Sequence, residues 1–402
     1  MGSSTTSSSR PQGSSGRSAG PGRLRRTAVL GAALAVLALG LTACFPPAEQ
    51  GAPILAKVVY VGGLSRPWDL AFLPDGTPLY TENDSGLISV RLDGDPHHVL
   101  RSVYDFDSSF DPSGEGGLMG IAVDPNWSVN QFVYACYSTA TDNRVVRMTL
   151  NPAANPPIAN WTPIVTNIPH AGYHNGCRVR FRPGSTDELF VSTGDAATAK
   201  APQDDNSLGG KILRIQTPGG NAYPGNASGK LWYTKGHRNP QGIAFRPGTN
   251  QVFDDEHGPN VEDELNLLAN GGNAGWNPID TNIPPNYFQG VPMTGPLATI
   301  SPTWNSGGLT VAPSGSTFLS GAKWKNWDGA FVVGTLDADP NVGQRLLVMH
   351  LNPAGTQLTS APVPALALGV RLRAAVQGPD GNLYVVTDGD GGTGEIWKVA
   401  PI

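Results

Sequence analysis

The sequence predicts an all-β fold, a six-bladed β-propeller of four-stranded antiparallel blades. Three observations carry this. Turn formers abound, with 51 Gly and 36 Pro in 402 residues against only 15% charged residues, a balance that favours many turns and few long helices. A unit of apolar strand, Pro-Asp-Gly-like turn, second strand, loop and third strand, the last with an Arg or Lys in five of the six copies, recurs six times from Ile54 onward, at spacings of roughly 50 to 75 residues. Nothing between the units keeps a sustained helical period. Radial repetition explains this pattern, whereas a β-sandwich or two barrels leave the repeated Pro-Asp-Gly unaccounted for.

The units follow in order. The first is 68–76, 78–82 and 86–91; the second 120–125, 132–137 and 143–148. The third is 177–184, 188–195 and, after a long insertion, 210–215. The fourth is 241–248, 251–253 and 263–268; the fifth 316–319, 329–334 and 345–349; the sixth 374–381, 383–388 and 394–399. Alternating apolar residues bounded by Gly, Pro and Asp argue for short antiparallel strands in each. In such a ring the innermost strands surround a central channel, and a site at one mouth collects residues from several blades.

The N-terminus reads differently. Residues 1–22 are Ser/Gly/Pro-rich, a composition that stays disordered. Arg23, Arg25 and Arg26 then precede an apolar run, 28–43, about 16 residues long, which is short for a membrane span and right for a signal-peptide core. It ends Leu41-Thr42-Ala43-Cys44, which resembles a bacterial lipobox with Cys44 as the lipidated first mature residue. An ordinary signal peptide, or a short anchor helix with an incidental cysteine, is the alternative. The expected organisation is a signal peptide with a disordered n-region over 1–43, a lipidated tether over 44–53 and the propeller over 54–402. The protein is then exported and held by a lipid anchor on the outer face of the bacterial cytoplasmic membrane. That compartment permits a disulfide between the two remaining cysteines, Cys136 and Cys177; two buried, unpaired strand cysteines are equally open. A net charge of −5 without a basic stripe excludes nucleic acid as a partner.

Four constellations stand out in this charge-poor chain. Tyr173-His174-Asn175-Gly176 puts a loop histidine before a strand, where it is either a general base or an ordinary surface residue. His237-Arg238-Asn239 with Gln241 offers a planar guanidinium fork for a carboxylate or a quinone oxygen, or else pins blade edges. His257-Gly258-Pro259 with Glu262, Asp263 and Glu264 groups hard oxygen donors suited to calcium, in a spacing that fits no EF-hand. Arg371-Leu372-Arg373 places two guanidiniums on one face of a strand, which calls for an anion. Together they describe a basic pocket for a polyanion, with a metal at its edge and a histidine base.

Gly236-His237-Arg238-Asn239-Pro240-Gln241-Gly242, Glu256-His257-Gly258-Pro259 through Asn266 with Gly272–Trp276, and Gly378-Pro379-Asp380-Gly381-Asn382-Leu383-Tyr384 resemble motifs of the soluble quinoprotein glucose/sorbosone dehydrogenase family, over nearly all of 55–400. The resemblance implies a six-bladed propeller that binds pyrroloquinoline quinone (PQQ) and calcium and oxidises aldoses to lactones, passing electrons on to an acceptor. It implies His174 as the base, Arg238 at the quinone carbonyl with Asn239 beside it, and Thr310, Arg371 and Arg373 on the cofactor carboxylates. It further implies Gly258 and Pro259 carbonyls on the calcium, Asp263 and Glu264 in a second calcium region, and Glu115 near the sugar, where glucose dehydrogenases carry glutamine. Two positions depart from the family: Asp337 stands where a cofactor-binding lysine is expected, and Tyr173 where an aspartate precedes the base. The rival readings are a non-catalytic propeller that binds a carbohydrate or protein, and a calcium-dependent lactonase-type hydrolase.

Overall fold

A computed structural model describes residues 49–279 and 291–402; the leader, Cys44 and most of the expected tether lie outside the described residues. The described chain forms six antiparallel sheets arranged as the blades of a propeller. Blade one is Pro67–Phe72, Pro78–Glu82, Leu87–Leu92 and Asp95–Ser102. Blade two is Leu118–Val123, Phe132–Ser138, Asn143–Leu150 and Ile158–Ile168. Blade three begins Gly176–Phe181, Glu188–Thr193 and Lys211–Gln216, and its third strand pairs with both Asn221–Ala222 and Trp232–Lys235. Blade four is Pro240–Phe245, Val252–Glu256, Glu264–Leu267 and Pro302–Asn305. Blade five is Pro313–Phe318, Phe331–Thr335, Leu346–Met349 and Val363–Ala365.

Blade six closes the ring. Leu372–Gln377, Leu383–Thr387 and Gly394–Pro401 take their outermost strand, Leu55–Leu64, from the start of the propeller. This closure ties the first and last strands of the described residues into one sheet.

The repeating units match the first three strands of each blade. The outer strands carried a weaker signal because they meet solvent. Asp95–Ser102 and Ile158–Ile168 are largely exposed or half-buried, so their apolar alternation is poor. The stretch read as a tether also differs at its end. Glu49 is held by Trp327 and His350 of blade five, and Asn326 holds the carbonyl of Gln50.

Apolar side chains between facing blades form the core. Leu79, Ile88 and Val90 of blade one meet Leu118, Ile121 and Val146 of blade two, and similar clusters follow around the ring. Cys136 of blade two and Cys177 of blade three are joined by a disulfide, with Cα atoms 5.5 Å apart.

The six innermost strands pack side by side around the axis, where the charges lie. Arg178 is fully buried. Its Nη1 sits 2.7 Å from Asp69 Oδ1 as an ion pair rather than an aligned hydrogen bond. Arg180 clasps the same carboxylate at 2.7 and 2.8 Å. Burial alone would raise the Asp69 carboxyl, but Arg178 and Arg180 hold it below its ordinary value. Burial lowers Arg178 to about 10, which leaves it a cation at neutral pH.

Removing Arg178 leaves a buried carboxylate with one guanidinium partner instead of two. Arg178→Ala is expected to cost about 3 kcal/mol, read as a lower denaturation midpoint in urea; an unchanged midpoint would show that the axis does not need it.

Candidate active site

All six innermost strands start at one end of the ring, so the residues just before them and just after each second strand form one mouth. A cavity of about 330 Å³ opens there. Arg66, Trp68, Glu115, Asn175, Gln241, His257, Asp337, Arg371 and Arg373 are among its lining residues, drawn from all six blades.

His174 belongs to this mouth. Its backbone turns through φ +61°, and its N–H donates to Glu115 Oε2 at 2.9 Å. A Cβ at Gly194 would lie 1.9 Å from the His174 carbonyl, so only glycine lets the second strand's end come this close. The next residue, Asp195, is fully buried. Its Oδ1 is 2.9 Å from His174 Nδ1 and also accepts the Ala197 N–H. Its Oδ2 accepts the Trp276 indole N–H at 2.8 Å. An acceptor at Nδ1 selects the tautomer that carries its proton there and puts the lone pair on Nε2.

Blade four supplies the fixed frame beside it. Arg238 donates its backbone N–H to Glu256 Oε2 and Nη1–H to the His257 carbonyl, and its guanidinium lies 5.6 Å from the Trp276 ring centroid. Asn239 Oδ1 accepts from Gln241 Nε2 at 3.0 Å, while Gln241 Oε1 is buried at the cavity wall without a partner among the described residues. Burial, then Arg238, push His257 down to about 3. The ring is therefore neutral, and its Nε2 lies 2.7 Å from the Pro313 carbonyl.

Arg371 and Arg373 share Asp388. Arg371 Nη1 is 2.9 Å from one oxygen, and Arg373 Nη2 and Nε are 3.0 and 3.2 Å from the other. Among the described residues, Arg371 Nη2 and Arg373 Nη1 have no protein partner and remain available to an anion. Burial alone would raise Asp388, but Arg373 and then Arg371 hold it below the ordinary carboxylate value.

The remaining expected residues divide. Glu115, Arg371 and Arg373 line the cavity; His174, Arg238 and Asn239 are not among its lining residues, but Asn175, His257 and Gln241, which adjoin them in sequence or by hydrogen bond, are. Thr310 does not line it: its hydroxyl donates to the Asn260 carbonyl, and Ala312 reaches the cavity instead. Gly258 and Pro259 follow His257 in a tight turn, closed by the Gly258 N–H on Asp263 Oδ1. Asp263 also accepts N–H groups of Val311 and Ala312 with Oδ2, so it staples blade four to blade five. Glu264 points elsewhere, accepting from Thr294 and Asn266. It therefore does not join Asp263 in one ligand set.

Glu264 belongs instead to a buried acidic group around His237. His237 Nδ1 is 3.0 Å from Glu256 and 3.5 Å from Asp254. Burial would lower this histidine, but Asp254 and Glu256 raise it to about 10, so it is an imidazolium. His237, Asp254 and Glu256 are also the one group among the described residues whose ligand atoms converge closely enough for a metal.

The sequence reading missed Asp195, Trp276, Asp388 and Arg66 as site members. One signal could have found Asp195 and Asp388: each follows the second strand of its own blade, in Gly194-Asp195 and Thr387-Asp388.

The comparisons with known proteins agree with this geometry. The family model described as Glucose / Sorbosone dehydrogenase matches residues 64–398. The chain is 32% identical to an uncharacterized protein of Synechocystis sp., covering 86% of each. It is 28% identical to an aldose sugar dehydrogenase of Escherichia coli, covering 89% of this chain and 96% of that one. Among solved structures, the PQQ-bound aldose sugar dehydrogenase of Streptomyces coelicolor superposes with a TM-score of 0.72 at 29% identity, covering 87% of this chain and 99% of that one.

A depressed carboxylate stabilises the fold above its unfolded pKa, and that stabilisation is lost as pH falls through the folded value. Asp388→Asn should therefore lose less stability than the parent between about pH 5 and about pH 2 in urea titrations. An equal loss would remove Asp388 from the arginine pair's support.

Proposed function

We propose, from the premise that the chain belongs to the glucose/sorbosone dehydrogenase family, that it is a PQQ- and calcium-dependent dehydrogenase oxidising an aldose to its lactone. The observation that carries this reading is the His174–Asp195 pair beside a cavity whose wall offers unpartnered guanidinium N–H groups.

The donor set fits the cofactor. PQQ carries three carboxylates, and Arg371 Nη2, Arg373 Nη1 and Arg66 present cations to the cavity; Gln241 Oε1 adds a buried acceptor that lacks a donor among the described residues. Arg238, with Asn239 beside it, would polarise the quinone carbonyl. Calcium would be held by the carbonyls of Gly258 and Pro259, hard oxygen donors next to the cavity-lining His257. When bound, the quinone accepts the hydride of the sugar C–H bond.

The chain's own part is proton handling and positioning. His174 takes the sugar hydroxyl proton at Nε2. Asp195 holds Nδ1–H, fixes the ring and stabilises the imidazolium that results. Trp276 fixes Asp195 in turn. Glu115, on the cavity wall and bonded to the His174 backbone, is placed to meet the sugar. Asp263 is poorly placed to hold a second calcium, because its oxygens already accept three backbone N–H groups.

Asp337 on the wall favours a second reading, a carbohydrate-binding propeller without cofactor. Against it, Asp337 Oδ1 accepts the Asp339 N–H at 2.8 Å and so is partly spent on its own turn.

Purified apo-protein given PQQ and calcium should reduce a dye with a panel of aldoses, and chelation should abolish the activity. No quinone bound at micromolar cofactor would sink this reading in favour of the second. His174→Ala should lower kcat about 10²- to 10⁴-fold while cofactor binding persists; retained activity would sink only the assigned base.

We also propose that Cys44 carries a lipid anchor on the outer face of the cytoplasmic membrane. Cys44→Ser should move the protein from the membrane to the soluble fraction, and an unchanged distribution would argue against the anchor.

A further inference from the structure

The last blade ends in an unusual surface. Its outermost strand, Leu55–Leu64, is the free edge of the sheet. In register with the C-terminal strand, Ala56 lies opposite Ala400 and Val58 opposite Lys398, and the Ile402 N–H donates to the Ile54 carbonyl. Alternation puts Ile54, Val58 and Ile402 on one side of this pair. They are 68%, 57% and 71% exposed. An apolar sheet edge left open to water invites a partner, and soluble proteins normally blunt such edges.

The place of this patch says which partner. Glu49, the first described residue, is fixed beside it on blade five by Trp327 and His350. Asn326 holds Gln50, and the neighbouring Lys325 reaches the carbonyl of Ile402. Cys44 lies five positions before Glu49, a length of chain that spans at most about 17 Å. A lipid on Cys44 therefore holds this patch within reach of the bilayer. Lys323 and Lys325 are exposed near the end of the strand pair, reaching the Asp380 and Ile402 carbonyls, with flexible stems that can lie on apolar surface while the ammonium groups meet phosphate headgroups; Lys57 lies on the other side of the pair, over the Trp397 ring. The nearby Asp380 is already paired with Lys398 at 2.7 Å.

We infer that the edge formed by Ile54, Val58 and Ile402 rests on the lipid bilayer to which the chain is anchored. The inference rests on the anchor proposed above. It has a consequence for access. The edge strand begins at the end of the ring opposite the cavity mouth, so the mouth opens away from the membrane, toward free sugar and acceptor.

The test uses the full lipidated chain in vesicles of phosphatidylethanolamine and phosphatidylglycerol that carry a quencher on the lipid. A fluorophore is placed on Val58→Cys, Ile402→Cys or Leu368→Cys. Leu368 is 50% exposed and lies just before the innermost strand of blade six, on the mouth side. Quenching at 58 and 402 should exceed that at 368 by about threefold or more, as expected of residues at an interface. Equal quenching at all three positions overturns the inference while leaving the anchor standing. Cross-linking of two copies through position 58 without lipid quenching also overturns it, in favour of a second copy. Protein that fails to float with the vesicles overturns the anchor and this inference together, whereas dye reduction tests the enzyme independently of both.

Discussion

The buried cluster of Asp69, Arg178 and Arg180 is the constraint on which the mouth of the propeller depends. Taking three charges out of water is costly, and the cost is offset only when every polar atom finds a partner. Here the partners come from around the ring. Asp69 of blade one meets two arginines of blade three and the Ile121 N–H of blade two. Arg178 Nε donates to the Gln241 carbonyl of blade four, and Nη2 to the Arg373 carbonyl of blade six. Ser314 of blade five donates to that same Arg373 carbonyl at 2.5 Å. Apolar contacts between blades would tolerate small slips; a shared ion cluster does not. Trp68, 4.0 Å from the Arg178 guanidinium, Gln241 and Arg373 then line the cavity directly above this cluster. The axis thus sets the floor of the site.

A second regularity comes from the repeat itself. In five blades an acid ends or follows the second strand: Glu82, Asp195, Glu256, Asp337 and Asp388. Because the strands are antiparallel, this position faces the start of the innermost strand, where the site's cations and histidine stand. Asp195 holds His174, Glu256 holds His237 and the Arg238 backbone, and Asp388 holds both arginines of blade six. Glu82 accepts the Ser65 N–H just before the innermost strand of blade one. The ring therefore orients its functional groups by one device used repeatedly, adapted blade by blade.

This device explains what the sequence made legible. Strand alternation and Pro-Asp-Gly turns are local, so the blade count and the first three strands of each unit could be read directly. His174, Arg238, Arg371 and Arg373 stood out as rare charged residues in a charge-poor chain. Their supports did not, because an acid after a strand looks like an ordinary turn residue until the partner 15 to 21 positions away is known to fold against it. Trp276 was visible only as part of a motif, since its role depends on a contact 81 residues distant. Asp263 and Glu264 misled for the opposite reason. The family motif groups them in one calcium region, yet Asp263 closes the turn just before the strand that Glu264 begins, and their carboxylates bond to different groups. Thr310 was placed near the cavity by motif alone, and its hydroxyl turned out to serve the Asn260 turn.

The same logic recasts Asp337. Set against a lysine it looks like an intrusion, but it occupies the repeat's ordinary acid position in blade five. What differs is its partner. Blade five begins its innermost strand after Val311-Ala312, with no cation or histidine for the acid to hold, so Asp337 turns to the Asp339 N–H instead. The cavity is left electrostatically lopsided. Arg371, Arg373 and Arg66 stand on blades six and one, while Glu115 and Asp337 flank them on blades two and five. Charges at cavity distances interact by several kcal/mol where water is partly excluded, far more than on open surface. An anionic group is thus drawn toward blades six and one and repelled by their flanks, whereas His174 and Arg238 stand on blades three and four, next to the lining residues Asn175 and His257. On the function proposed above, that separation lets one molecule be held by its carboxylates while another is deprotonated beside it.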